Sequence, residues 1–431
     1  MGKWVKERLG TKSTISRGGS PRPIEDYVSP EFEGYNWIKI GDVKPGAKYI
    51  ESTAEKMIPA GLTKTREVHA GDFLLSNSMS FGRPYISKID GCIHDGWLAI
   101  QSYNETFDTN FLYYCLGAES TIAQYRSLAA GSTVLNLKKE MVAKVNVTYP
   151  VSLDEQRHIA EILTTCDEVI EKSEAVAEKY RAIKAGMLND LFTRGIGKNG
   201  KLRPPPESSP QLYKDTALGK VPREWEVKSF DSAFELHGNN TLSRAFLTNQ
   251  NGVVRNVHYG DVLVKYDAIL DCDDEALPSV IAEGVRQAGN DYLQNGDLVF
   301  ADTAEDDTVG KAVELYNVGD RTIVSGLHTI FARSKEDDFA PRWLGYYVNS
   351  DSFHKQLLPF VVGSKVSSIS RTNIKRTFVV IPESDEQQRI AERLSVIDAK
   401  IADELTVIAK YRKIKTGLMA RLLTPPDGEV E

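Results

Sequence analysis

Apolar positions along the chain fall into two kinds of pattern. Between residues 151 and 194, Ile159, Leu163, Cys166, Ile170, Ala177, Tyr180, Ile183, Met187 and Leu191 recur at intervals of mostly three or four. Between 383 and 424, Ile390, Leu394, Ile397, Ile401, Ile408, Tyr411, Ile414, Leu418 and Leu422 do the same. A stripe of that period, with Glu and Lys on the remaining faces, predicts a long amphipathic helix of the coiled-coil kind. Pro150 and Pro382 precede the two starts, and Ser152 or Asp154 and Ser384 or Asp385 are the expected N-caps. About 38 residues at about 1.5 Å each make a helix of roughly 57 Å. The stretches 1–150 and 223–382 read differently, as short β-type runs broken by Gly and Asp-Gly turns: Trp37-Ile-Lys-Ile40, Ala99-Ile-Gln-Ser102, Thr322-Ile-Val324 and Phe378-Val-Val-Ile381. They predict mixed α/β (α+β) globules with strand-rich cores.

The two helical segments are one segment written twice. Asp154-Glu-Gln-Arg-His-Ile-Ala-Glu-Ile-Leu163 and Lys179-Tyr-Arg-Ala-Ile-Lys-Ala-Gly-Met-Leu188 match Asp385-Glu-Gln-Gln-Arg-Ile-Ala-Glu-Arg-Leu394 and Lys410-Tyr-Arg-Lys-Ile-Lys-Thr-Gly-Leu-Met419 without gaps. About 18 of about 40 positions are identical. Fainter echoes run upstream: Trp4 and Trp225, Gly71-Asp-Phe-Leu-Leu75 and Gly296-Asp-Leu-Val-Phe300, Phe111-Leu-Tyr-Tyr114 and Trp343-Leu-Gly-Tyr346. The chain is therefore a tandem duplication with a pseudo-two-fold relation: globule (1–150), helix (151–194), linker (195–222), globule (223–382), helix (383–424), tail (425–431). Two such helices in one chain most simply pair antiparallel. Arg203-Pro-Pro-Pro-Glu-Ser-Ser-Pro210, after the Gly-rich 195–201, is expected to be a partly extended linker.

Charge alters this picture less than its distribution does. The net charge is −7, which does not describe a generic polybasic DNA binder. Residues 1–150 carry 18 Lys+Arg against 16 Asp+Glu, whereas 223–382 carry 16 against 23. No apolar run approaches the roughly 20 residues of a membrane span. Neither a signal peptide nor an acylation motif opens the chain, whose start Met1-Gly-Lys-Trp-Val-Lys-Glu-Arg8 is charged. The four scattered cysteines, Cys92, Cys115, Cys166 and Cys272, form no CxxC pair. They suggest reduced thiols, a cytoplasmic location and no metal site.

The candidate chemistry is binding. Three loops recur in both globules and carry the residue types that reach base edges and phosphates. The first holds Arg17, Ser20 and Arg22, with Asn239, Asn240 and Arg244 as counterparts. The second holds Asn77, Ser78, Ser80 and Arg83, with Thr308 and Lys311. The third holds Ser132, Thr133 and Lys138, with Ser364, Lys365, Ser368 and Arg371. The glycines of Ser16-Arg-Gly-Gly-Ser-Pro-Arg22 suggest a flexible loop. His94 and His328 are expected to be structural or DNA-adjacent. Asp271-Cys-Asp-Asp-Glu275 and Glu305-Asp-Asp307 lack the spacing of a nuclease centre and read as solvated loops. Thr308-Val-Gly-Lys311 is no phosphate loop, since the earlier glycine is missing. There is no Asn-Pro-Pro-Tyr-like motif, Gly-rich cofactor loop or Walker motif, so no catalytic residues are expected.

With its duplicated Asp-Glu-Gln-x-x-Ile-Ala-Glu start and Lys-Tyr-Arg-x-Ile-Lys-x-Gly ending, the chain resembles the specificity subunits of type I restriction–modification systems over nearly its whole length. The resemblance implies a non-catalytic subunit with two target-recognition globules, each reading one half of a bipartite site in double-stranded DNA. It implies paired helices that act as a spacer and dock two methyltransferase subunits, and two restriction–translocation subunits in the larger assembly. Along the helices, Ile159, Leu163, Tyr180, Ile183, Ile390, Leu394, Tyr411 and Ile414 are the expected docking residues. S-adenosylmethionine, ATP and Mg²⁺ would belong to those partners, with no cofactor in this chain. If the helices are a ruler, four residues inserted in each, about 6 Å, lengthen the gap between half-sites by roughly two base pairs. The alternatives are a coiled-coil scaffold that binds no DNA, or an inactive orphan subunit.

Overall fold

The computed structural model describes residues 3–44, 46–77, 81–130, 136–363 and 365–425. The chain divides into two compact units, one of residues 1–174 with 405–431 and the other of residues 175–404. Each unit is thus a globule, the beginning of its own helix and the end of the other one.

In the first unit, strand Trp4–Arg8 pairs antiparallel with Asn146–Pro150. A five-stranded sheet runs in the order Thr14–Arg17, Trp97–Gln101, Phe73–Ser76, Pro84–Ser87, Tyr49–Ile50, with only the last pair parallel. A second five-stranded sheet contains Tyr35–Ile38 and Gly91–Ile93 as parallel neighbours. The second unit repeats the plan. Glu226–Ser229 pairs with Phe378–Ile381, and a five-stranded sheet runs Phe234–His237, Thr329–Ser334, Leu298–Ala301, Ala312–Tyr316, Ile269–Asp271, again with only the last pair parallel. Its other sheet has four strands, with Val254–Val257 and Thr322–Ser325 parallel. The duplication therefore extends to the sheets, with the order of one five-stranded sheet repeated and the other sheet one strand shorter in the second unit.

The long helices span Leu153–Thr193 and Ser384–Leu422. Ser152 caps the first, its carbonyl accepting from Gln156 N at 3.1 Å. In the second the capping carbonyl is that of Glu383, one residue before the two expected caps, and it accepts from Gln387 N at 3.1 Å. Gln156 and Gln387 then lock each helix to its globule. Gln156 Nε2 donates to the carbonyls of Thr106 and Pro150 while its Oε1 accepts from Asp108 N. Gln387 makes the matching bonds to Asp338, Pro382 and Ala340 N. A buried amide with every valence filled fixes a unique orientation.

A second repeated device joins the helix ends. In the first unit Tyr114 Oη donates to Asp167, which accepts Lys415 Nζ at 2.5 Å. In the second, Tyr346 Oη donates to Asp398, which accepts Lys184 Nζ at 2.5 Å. Within the first unit Glu174 also meets Arg412, at 2.7 Å, so the partner numbers fall on one helix as they rise on the other. In the second unit Lys400 Nζ lies 5.4 Å from the centre of the Tyr180 ring beside the Asp398–Lys184 pair, so the pairing is antiparallel in each unit by itself.

Two expectations need correction. Ile159, Leu163, Ile390 and Leu394 are buried in the cores of their own units and present no surface to a partner. The early part of each stripe faces the globule because the helix must first cover that sheet's apolar side. The stretch 195–222 is also not a free linker. Ile196 and Arg203 are buried, and Tyr213–Thr216 pairs with Gly219–Pro222. Arg203 holds Glu386 through both guanidinium nitrogens at 2.5 and 2.9 Å, and Glu386 also accepts from Ile196 N and Trp225 Nε1.

Candidate nucleic-acid interface

In the first unit the first two candidate loops meet at one turn, His94-Asp95-Gly96, and the third is tied to the second. Arg17 Nε donates to Asp95 O at 3.2 Å, and Ser20 Oγ to Asp95 Oδ1 at 2.8 Å. Asn77 Nδ2 donates to Asp95 O at 2.8 Å, and Asn77 O accepts from Leu137 N at 2.9 Å, which fastens the third loop to the second. His94 Nε2 lies 2.9 Å from Asp95 Oδ1. Burial alone would raise the Asp95 pKa. The Ser20 hydroxyl and the charges of His94 and Arg17 overcome it and hold the carboxyl below its ordinary value.

The glycines of the first loop serve proximity, not flexibility. A Cβ on Gly18 would lie 2.2 Å from His94 O, and one on Gly19 would lie 2.4 Å from Lys64 O. Their amides donate to Trp97 O and Ile93 O at 3.0 and 3.2 Å, so this segment is pressed onto its neighbours.

The second unit builds the same junction around Ser325-Gly-Leu-His328. Asn240 donates to Ser325 O through both its backbone amide and Nδ2, each at 2.9 Å, while Asn239 Nδ2 reaches Gly326 O at 3.2 Å. Asp302 N donates to His328 O and Asp302 O accepts from Ile369 N, repeating the Asn77–Leu137 link one duplication on. Thr303 and Ala304 pair with Ser368 and Ser367, and the Arg371 guanidinium donates to His237 O. Asp95 and Asp302 were missed in sequence. The signal available was the polar turn between two apolar strands, which drew attention to His94 and His328 only.

Not every candidate is free to touch a ligand. Asn77 and Asn240 are buried, with their amides spent on the turns. Lys311 is half-buried, donates to the carbonyls of Leu263 and Tyr266 at 3.0 and 2.9 Å, and has its pKa lowered by burial. These three position loops. Arg244 is more than half exposed but sits 2.5 Å from Asp261, and Lys375 is paired with Asp231 at 2.8 Å. Arg17, Arg22, Lys138, Asn239, Thr308, Lys365, Ser368 and Arg371 are exposed, and Ser20 and Arg83 are half-buried. Ser78, Ser80, Ser132, Thr133 and Ser364 lie outside the described residues. Of the helix residues, Ile183 and Ile414 are each 39% exposed, and Tyr180 and Tyr411 half-buried.

Among the described residues no group of three or more His, Cys, Asp or Glu is placed to hold a metal ion. All four cysteines are buried and unbridged, and no described helix is long and apolar enough to cross a membrane. The arrangement is one of loops braced for contact.

Comparison with known proteins agrees with the duplication. The model of a family described as type I restriction modification DNA specificity domain matches residues 3–179 and again 222–410. The chain is 22% identical over 432 residues to the type I restriction enzyme MjaVIII specificity subunit of Methanocaldococcus jannaschii, covering 98% of this chain and 92% of that relative. It is 25% identical over 443 residues to the MjaIX specificity subunit of the same organism, covering 97% and 92%. In fold it resembles the crystal structure of the S subunit of a type I restriction-modification system from M. genitalium. The TM-score is 0.56 at 12% identity, over 98% of this chain and 96% of that one. A chain from a structural study of complex assembly and conformational transition of the type I R-M system gives 0.55 at 12%, over 98% and 97%.

Proposed function

The chain belongs to the family of type I restriction modification DNA specificity domains, and on that premise we propose that it is the DNA-reading, non-catalytic subunit of such a system. Each globule reads one half of a bipartite site through its three braced loops. The observation that carries this reading is the repeated junction: in both units the first two loops meet at one turn and the third is tied to the second. Duplicated contact loops suit two contacts on one duplex.

The partners follow from the chemistry this chain lacks. Methyl transfer and translocation fall to methyltransferase and restriction–translocation subunits, two of each in the reading offered here, and S-adenosylmethionine, ATP and Mg²⁺ go with them. Of the expected docking residues, Ile183 and Ile414, equivalent in the duplication, are the two that are exposed. In the second globule Arg244, Lys311 and Lys375 are engaged internally. That half therefore leaves phosphate contact to the exposed Lys365 and Arg371 and to the partner subunits. A cytoplasmic location accords with this role.

The test is genome-wide mapping of N6-methyladenine in cells with and without the gene, with the partner subunits expressed. A gene-dependent bipartite motif is expected. Its absence would favour a scaffold or an inactive subunit.

A further inference from the structure

The third loop of the second globule carries a feature that the polar candidates do not explain. Val362 and Ser368 exchange backbone bonds, Val362 N to Ser368 O at 3.1 Å and Ser368 N to Val362 O at 2.9 Å, closing a tight hairpin. Gly363 has φ +124°, and a Cβ there would lie 1.9 Å from Val366 O, so only glycine permits this turn. The base is pinned by the Thr303–Ser368 and Ala304–Ser367 pairing and by Ile369 N donating to Asp302 O at 2.9 Å. Yet the hairpin exposes 68% of Val362 and 49% of Val366, with the exposed Lys365 beside them. Two isopropyl groups are thus held out on a braced, glycine-dependent projection next to a cation. Scattered surface valines need no account, but two on one such hairpin within a reading loop do.

We propose that Val362 and Val366 read thymine 5-methyl groups in the major groove of the half-site taken by the second globule. Apolar side chains are the readers of that methyl group, the one apolar mark on the major-groove edge, and Lys365 supplies a neighbouring phosphate contact. The matching place in the first half holds Ala130 and Val134, the latter outside the described residues. The proposal rests on the DNA-reading function above.

The test uses the assembled complex with its partner subunits and duplexes carrying the mapped motif, in which deoxyuridine replaces thymidine one position at a time. Loss of a single contacted methyl is expected to weaken binding about fourfold at one or two positions of the second half-site. The V362S/V366S double variant should bind thymidine and deoxyuridine duplexes equally at those positions, and its mapped methylation motif should accept other bases there. Wild-type complex that binds every deoxyuridine duplex as tightly as the parent would overturn the proposal while leaving the mapped motif, and so the reading function, intact. A hairpin that unstacks a base step instead, seen as a 2-aminopurine fluorescence rise without methyl dependence, would also overturn it.

Discussion

Replacing Asp95 by Asn should loosen one half-site and leave the other alone. The carboxylate receives Ser20 Oγ at 2.8 Å and His94 Nε2 at 2.9 Å, and its charge favours both His94 and Arg17. A buried charge-assisted bond contributes about 1.5–3 kcal/mol. The Asp95 side chain is 43% exposed, so solvent screening reduces each to about 1 kcal/mol or less. The expected loss is about 1–2 kcal/mol of loop anchoring. It lowers affinity by up to about thirtyfold, to the extent that the ordered loop is the binding-competent state. The bonds from Arg17 Nε and Asn77 Nδ2 to the Asp95 carbonyl survive, so the globule itself should unfold at an unchanged temperature. Methylation mapping should show relaxed bases only in the half-site of the first globule. Asp302→Asn, whose carboxylate accepts Thr303 Oγ1 at 2.7 Å and faces His328 Nδ1 at 3.4 Å, should relax only the other half. If Asp95→Asn left the motif and the affinity unchanged, or loosened both halves equally, the turn would not be what aligns the loops.

Two further outcomes concern the second unit's frame. Arg203→Met strips the buried Glu386 carboxylate of its guanidinium partner. It should cost about 3–5 kcal/mol in chemical unfolding and open residues 195–204 to limited proteolysis, and wild-type stability in that variant would count against the buried pair. Burial pushes the Glu314 carboxyl up to about 7 from 4.5, even though it accepts from Arg342 N and Gly345 N. A raised acid favours the folded state most below its unfolded pKa. Wild type should therefore lose about 3 kcal/mol relative to Glu314→Gln as pH rises from about 4.5 to about 7. A difference between the two proteins that stays flat over that range would refute the assignment.

Much of the fold could be read in advance because it is periodic or repeated. The helices announced themselves through the three-four spacing of Ile159 to Leu191 and Ile390 to Leu422. The strands at 35–38, 97–101, 322–325 and 378–381 lie within two residues of the runs that predicted them. What stayed hidden was decided by long-range contacts that no local pattern encodes. Leu163 and Leu394 look like a partner-facing seam until the sheet beneath them is known. Arg203 looks like the start of a proline-rich spacer until Glu386, 183 positions later, is placed against it. Gly18 and Gly19 look mobile in sequence, since their flexibility and their need for close approach are the same chemical fact. Within the candidate loops, Asn77, Asn240 and Lys311 have the composition of readers and the bonds of braces.

That division between brace and reader follows from the duplication. Gln156 and Gln387, Tyr114 and Tyr346, and the Asp167–Lys415 and Asp398–Lys184 pairs keep the same partners in both units. Each of these side chains satisfies groups from two elements at once, so changing one leaves the other unsatisfied at a cost of about 1–3 kcal/mol. The exposed loop tips carry no such obligation. Asn77 can become Asp302, giving up the Nδ2 bond to the turn, because the backbone amide still meets the turn and the backbone carbonyl still accepts from Leu137 N or Ile369 N. The hub turn likewise changes from His94-Asp-Gly96 to Gly326-Leu-His328 while still collecting the first two loops. A frame held by side chains and loops joined largely through backbone atoms let the two globules diverge in what they read without disturbing how their loops are held.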